Sequence, residues 1–309
     1  MVSLIIKDNM NKKTITIIIA LAGVCSGASA QPKSTKCPRP LKTSRDFAKM
    51  TAVDTTQMRV YYAFCPHKIE DANTYIDLQR LDVGKRVVKY YSHFVYTNDS
   101  LVAIWWRQHP NSRTGAPWLG AIGRKDKEDI WSEYEWSDYF IEDGQLTEYC
   151  TMPRSLESYN SCYTEPMPKQ SWTLHNETQT IIGYKCQRAT CRFRGRDFEA
   201  WFAPAIPVMR GPWKFSGLPG LILKVYDKEK LYSFEAVGLE SRHYPITRFN
   251  CYKNYHRSTR EKVWKQQRSF NENWYKAAGF RRATMDAAGN MVQGEAVSIF
   301  TPYNPLELE

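Results

Sequence analysis

The sequence predicts a mainly β fold, either an antiparallel curved sheet or an open, incomplete barrel. It also predicts one long amphipathic helix over about 258–278 and a short helix near 100–108. Three observations support this. Short runs of aromatic and β-branched residues recur from Val60 onward, separated by Gly, Pro, Asp and Asn. The connections between them are too short for helical crossovers, so neighbouring strands run antiparallel. One stretch carries a strong helix signature. Ser258 and Glu261 form a capping box, Val263, Trp264, Phe270, Trp274 and Ala277 trace one face, and Gly279 follows as the C′ residue.

Taken in order, residues 1–30 read as a secretory signal peptide. Lys12 and Lys13 precede the apolar run Thr14–Val24, and Ala28-Ser29-Ala30 is a small-x-small cleavage site. Val24 stands before Cys25 where a lipoprotein signal has a small residue, so Cys25 is a poor lipidation site. Residues 31–45 are rich in Lys and Pro and read as a flexible lead-in. Residues 46–309 read as a single β-rich domain. Val60–Phe64 and Arg86–Tyr96 are strands. Asn98 or Asp99 caps the short helix from Ser100 to Gln108, and a Gly/Pro-rich loop spans 110–128. Further strands fall at Ile130–Trp136, Gln145–Cys150, Trp172–Leu174, Thr180–Phe193, Phe198–Phe202, Leu221–Tyr226 and Leu231–Gly238. Arg194-Gly195-Arg196-Asp197 has hairpin-turn chemistry, and strands at Arg281–Met285 and Val292–Phe300 close the domain.

The formal net charge is +11, and it stays strongly positive once Lys7, Lys12, Lys13 and Asp8 leave with the signal. No nucleic-acid motif is present, so the basic balance points to an anionic lipid, an anionic polymer or an outer-membrane protein, or to solubility alone. No apolar run after the signal is long enough to span a membrane. Of eight cysteines, Cys37, Cys65, Cys150, Cys162, Cys186, Cys191 and Cys251 remain in the mature chain. An oxidising envelope favours disulfides, and Cys150 with Cys162 across a Pro-containing loop is the first candidate pair. The odd total leaves at least one thiol over.

The stretch Gly211-Pro212-Trp213-Lys214-Phe215-Ser216-Gly217-Leu218-Pro219-Gly220-Leu221-Ile222 is the densest motif. Pro219 and Gly220 fit a type II turn, and the consecutive apolar residues after it imply a strand covered on both faces. The corner is therefore structural, or its glycines let backbone approach a ligand. Arg188, Arg192, Arg194 and Arg196 share strand parity. They line either a solvated face or an anion site, with Trp201, Trp213 and Phe215 nearby as further candidate ligand-binding residues. No HExxH or CxxC spacing supports a metal, and no cofactor fingerprint is present. No GxSxG elbow or Walker loop supports catalysis, and no catalytic residue stands out.

These residues also resemble a known family. Gly217–Ile222 matches the signature of the GLPGLI family, found mainly in the Bacteroidota. Gly183-Tyr184-Lys185-Cys186 through Ala189, Phe193-Arg194-Gly195-Arg196, Ala200–Pro207 and Asn304-Pro305-Leu306-Glu307-Leu308 resemble further segments of it. Phe202 and Ala205 depart from the family's Tyr and acidic residue. The resemblance implies export to the periplasm or outer membrane and gives no catalytic residues. The expected function is a non-catalytic envelope protein binding a lipid, an anionic ligand or an outer-membrane partner. A thiol- or metal-dependent envelope protein and an envelope hydrolase are the alternatives.

Overall fold

The computed structural model describes residues 45–47, 49–113, 132–152 and 154–309. The expected signal peptide, Cys25, Cys37 and nearly all of the lead-in lie outside the described residues, as does most of the 110–128 loop.

The first strands are β1 (Met50–Phe64), β2 (Asp77–Gly84) and β3 (Val87–Ser92). Helix α1 (His93–Gln108) follows, then the single turn α2 (Glu133–Trp136). Next come β4 (Ser137–Glu142), β5 (Gln145–Cys150), β6 (Ser161–Pro166), β7 (Thr173–Ile181), β8 (Tyr184–Phe193) and β9 (Arg196–Ala203). The second half holds β10 (Leu221–Asp227), β11 (Ser233–Glu240), β12 (Pro245–Phe249) and β13 (His256–Arg257). Helices α3 (Arg260–Glu272) and α4 (Trp274–Ala277) and a separate hairpin, β14 (Arg281–Met285) with β15 (Met291–Ala296), complete the chain.

Thirteen strands form one sheet in the order β13-β6-β5-β4-β3-β2-β1-β11-β10-β9-β8-β7, with β12 on the first half of β1. Every pairing is antiparallel except the short β13–β6 contact. The path does not close into a barrel, but it curls strongly. β6 and β9 are eight positions apart in the order, which in a flat sheet would be about 38 Å. Yet Arg194, in the turn leading into β9, reaches Glu165 of β6 at 2.9 Å. Register breaks in β1 at Ala52/Asp54, Thr56/Met58 and Tyr61/Tyr62 let the strand bend.

The elements differ from expectation where side chains take over from pattern. The strand expected over 86–96 stops at Ser92, whose hydroxyl accepts from the Val95 N–H at 3.0 Å and starts α1 seven residues early. Ser132 caps α2 in the same way, so 133–136 is helical instead of extended. The strand expected over 180–193 is two strands. Ile182 (φ 41°) and Gly183 (φ 85°) form a two-residue turn, as Arg194 (φ 48°) and Gly195 (φ 79°) do one hairpin later. The helix expected over 258–278 breaks at Asn273, whose side chain caps α4. Thr259, not Ser258, caps α3, and Glu261 pairs with Lys265.

The expected Cys150–Cys162 disulfide is absent. Cys150 lies opposite Ser161 and Cys162 lies opposite Tyr149, so the two thiols project from opposite faces of the sheet.

The glycine-rich corner is structural, by a different turn from the one expected. Gly220 N–H donates to the Leu218 carbonyl at 2.8 Å, a three-residue turn around Pro219. A Cβ on Gly220 would stand 2.3 Å from the Ala203 carbonyl oxygen. Glycine is required there because the β9 and β10 chain ends approach so closely. Leu221, Ile222 and Leu223 are fully buried. One face of this strand meets the core, while Ile222 packs where a Cβ on Gly211 would sit, at 2.8 Å. Gly220→Ala is therefore expected to cost about 1–3 kcal/mol through overpacking against backbone. The drop should appear in the urea midpoint, whereas Gly144→Ala, with nothing within 4 Å of its Cβ, gives only the smaller cost of its positive φ.

Candidate ligand groove and the interior clamp

The residues expected to bind a ligand are engaged with the protein itself. Arg188 pairs with Glu199 at 2.8 Å and Glu177 at 3.0 Å. Arg192 pairs with Asp197 at 3.2 Å. Arg194 belongs to the turn, and Arg196 points into the interior, where it meets Asp227 at 3.1 Å and the Pro305 carbonyl at 2.7 Å. Arg188 and Arg192 do share the outer face of β8, with Trp201 opposite Arg188, but Arg194 and Arg196 leave that face because the turn at Arg194-Gly195 interrupts the strand on which the parity was counted. Trp213 and Phe215 are core residues, 5.3 Å apart and packed with Phe193. Trp201 is half-buried and donates its indole N–H to Glu199 at 3.2 Å.

The concave side of the sheet is filled by aromatic side chains and by the extended segment Tyr303–Glu309. Leu306 enters the main core. Tyr303 donates to Glu133, and Tyr232 donates to the Asn304 carbonyl at 2.5 Å. Leu306 N–H donates to the Tyr134 hydroxyl at 3.0 Å. Glu307 meets the ammonium of Lys214, Arg260 at 2.7 Å and Arg194 at 3.6 Å. Burial pushes the Glu307 carboxyl up, but these three cations outweigh it and hold the group below its ordinary range. Lys214 also reaches Glu148 at 3.4 Å and the Tyr163 hydroxyl at 2.8 Å. The cavity beside this cluster is about 20 Å³, which is room for one water.

The large open volume lies on the other face of the same strands. Alternation along β5 and β6 sends Leu146, Glu148 and Tyr163 inward and Tyr149 and Cys162 outward. There, β12 and the turn after it stand across from β5 and β6 and bound a groove of about 840 Å³. Its floor is aromatic. Tyr149 and Tyr252 stack at 4.2 Å with a 10° interplanar angle, and Phe249 packs edge-on against Tyr252. Thr51, Thr147, Thr164, Asn250 and Ser258 add hydrogen-bonding groups to its walls. Arg248, Lys253 and Arg257 supply positive charge, and no carboxylate lines it. Arg248 is shared with Glu142 at 3.0 Å. Lys253 and Arg257 make no ion pair among the described residues. Burial raises the Tyr149 phenol, and both Arg248 and Arg257 act on it in the opposite sense. The reading from sequence did not single out these residues. Only the closely spaced basic and aromatic residues of 248–257 (Arg248, Phe249, Tyr252, Lys253, Tyr255, Arg257) hinted at them.

Cys65, Cys150, Cys162, Cys186 and Cys191 are buried, and burial pushes each thiol up, away from the thiolate that redox or nucleophilic chemistry requires. No cluster of three or more His, Cys, Asp or Glu suited to a metal occurs among the described residues.

Glu133 offers a test of the interior. Burial lifts its carboxyl from 4.5 to about 7, against hydrogen bonds from its own backbone and Asn271. Between those two values the folded chain holds a proton that the unfolded chain has lost. Stability therefore falls as pH rises through that window and stays reduced above it. Glu133→Gln keeps an acceptor for Tyr303 and cannot ionise. It should match the parent near pH 4 and exceed it by roughly 2–3 kcal/mol above pH 7. Urea unfolding across pH checks this, and a difference that does not vary with pH would contradict it.

Comparison with known proteins gives a limited match. A search of curated proteins finds no match. Two crystal forms described as "Structure of PNGF-II" share 11% identity, with a TM-score of 0.44. The alignment covers 76% of this chain and 35% of theirs, so this chain spans about a third of that protein. Residues 193–224 are similar to the family described as "Protein of unknown function (Porph_ging)", a match that contains the Arg194-Gly195 turn, Lys214 and the Gly217–Ile222 corner.

Proposed function

We propose that this is an exported envelope protein of the GLPGLI type that binds an anionic ligand, without chemistry, in the groove between β5–β6 and β12. The observation that carries the reading is the uneven charge of that groove. Three cations and a stacked tyrosine pair line it, and no carboxylate does. Its volume falls in the range of ordinary ligand sites. The described lysines and arginines of the interior are committed to carboxylates, whereas Lys253 and Arg257 of the groove make no ion pair among the described residues. The signal peptide read from the sequence supports the compartment, where anionic polymers and lipid head groups are the abundant partners. Against the thiol alternative stand five buried thiols that burial holds in the neutral form, Cys251 alone among the described cysteines being half-buried.

A sulfated, carboxylated oligosaccharide derived from heparin serves as a polyanionic probe. The parent protein is expected to bind it with an affinity that falls steeply with salt, since exposed charges are screened within about 10 Å at 0.1 M. Lys253→Gln with Arg257→Gln should weaken binding about tenfold, ~1.4 kcal/mol. Unfolding should be unchanged, because neither side chain makes an ion pair. Isothermal titration at two ionic strengths measures both effects. Equal affinity in the parent and the double variant would overturn the groove as the site.

A further inference from the structure

The Tyr303–Glu309 segment is held as a peptide ligand is held. It adds no strand to the sheet. Its backbone is satisfied mostly by side chains from distant elements, together with one main-chain bond from Leu308 N–H to the Arg194 carbonyl at 2.9 Å. Tyr232 donates to the Asn304 carbonyl, Arg196 donates to the Pro305 carbonyl at 2.7 Å, and Trp264 donates to the Glu307 carbonyl at 3.0 Å. Tyr134 accepts from the Leu306 N–H, and Arg260 donates to the Glu309 carbonyl at 2.9 Å. Two pockets read side chains. Leu306, 1% exposed, fills an apolar one in the core, and Lys214, Arg194 and Arg260 surround the Glu307 carboxylate. Side-chain pockets combined with main-chain hydrogen bonds are the physics of extended-peptide recognition, here with the pockets on the adjacent residues Leu306 and Glu307.

The chain that delivers this segment is loosely attached. β14 and β15 pair only with each other, and their residues are almost all exposed. A lone two-stranded hairpin is marginal in water. This one also displays Phe280, Met285, Met291, Val292, Ile299 and Phe300 to solvent. Four hydrogen bonds dock its base to α3, α4 and the turn after them. They are Val297 N–H to Phe280 O, Thr301 N–H to Glu272 O, Ile299 N–H to Asn273 Oδ1 and Asn273 Nδ2 to Ser298 Oγ.

We propose that the cradle formed by Tyr134, Arg194, Arg196, Lys214, Tyr232 and Arg260 is a peptide-acceptor site for an extended Tyr-Asn-Pro-Leu-Glu segment. It is filled here by the chain's own segment and able to take that of a second copy, with the exposed hairpin as the connecting arm. Exchange of an identical element between copies conserves every contact, so its energetic cost is low. The arm's exposed apolar residues would be covered where two arms run side by side. In a single chain the tethered segment competes at high effective concentration, so exchange needs raised protein concentration or a weakened segment.

The test uses full-length protein and a fluorescein-labelled peptide of residues 301–309. A variant carrying Leu306→Ala and Glu307→Gln weakens its own segment while the cradle stays intact. Near-UV circular dichroism and cooperative unfolding establish that it is folded. The expected result is saturable anisotropy with this variant at least about tenfold tighter than with the parent. A peptide bearing the same two changes should not bind. A second arm mixes the variant with differently tagged parent at raised concentration and looks for one-to-one mixed dimers by sedimentation. A folded variant that captures no peptide overturns the acceptor site. Peptide capture without mixed dimers overturns the second copy as its partner.

Discussion

The Glu307 carboxylate ties the curled sheet together. Eight positions separate β6 from β9 in the strand order, yet Glu165 and Arg194, and Tyr163, Lys214 and Glu307, join the two regions directly. Taking an ammonium and a carboxylate out of water carries a penalty of several kcal/mol for each ion, which a single pair seldom recovers. Here Lys214 has two carboxylates and a phenol around it, and Glu307 has three cations, so both partners keep most of what water gave them. An isolated buried charge is the expensive case, and the redundancy guards against it: without Glu307, Lys214 still meets Glu148 and Tyr163, and Arg194 still meets Glu165. The network therefore helps to hold the curl, while the aromatic core supplies the area that drives collapse.

That constraint also shapes the opposite face. β5 and β6 carry Glu148 and Tyr163 toward the network and Tyr149 and Cys162 toward the groove. A single residue step separates the two environments, so the angle that the network imposes on these strands is inherited by the groove. The groove's other wall comes from β12, which pairs with Met50–Thr55, a stretch that itself holds the break at Ala52/Asp54 and lies beyond those at Thr56/Met58 and Tyr61/Tyr62. A straight β1 would keep β12 in line with the main sheet, and the bends turn it across β5 and β6 instead.

Much of this was legible in the residues. Period-two alternation, Asn/Gly/Pro punctuation and the apolar run after Gly220 give the antiparallel sheet and the doubly buried β10. Errors arose where one side chain redirected the backbone. Ser92 and Ser132 start helices inside segments that score as strands, and Asn273 splits a helix whose apolar face is continuous. Trp213, a bulky residue at φ 52°, is the clearest case. Local sterics disfavour that conformation, and it holds only because rings of Phe193 and Phe215 and the Lys214 contacts over-determine it. It aims Lys214 inward. Nothing local in the run Trp213-Lys214-Phe215 marks the lysine as buried. Its partner Glu307 lies 93 residues away, beyond any local pattern. The arginine parity failed for a similar reason, since the count ran through a turn.

Much of the chain's excess positive charge lies before residue 45, outside the described residues, and the rest is carried by the described fold. Interior cations are matched. Arg59 sits 2.6 Å from Asp82, Lys89 3.1 Å from Asp138, and Arg196 3.1 Å from Asp227. These pairs contribute nothing to the net charge, so among the described residues most of the remaining positive charge is on the surface. Some surface cations are paired to acids, as Lys265 is with Glu261 and Arg268 with Glu272. A surface that only needed solubility would gain nothing by clearing carboxylates from a concave, aromatic-floored region, because there like charges repel one another and the rings lose hydration. Lys253 and Arg257 together in such a groove are a cost to the free protein that an anionic occupant would relieve.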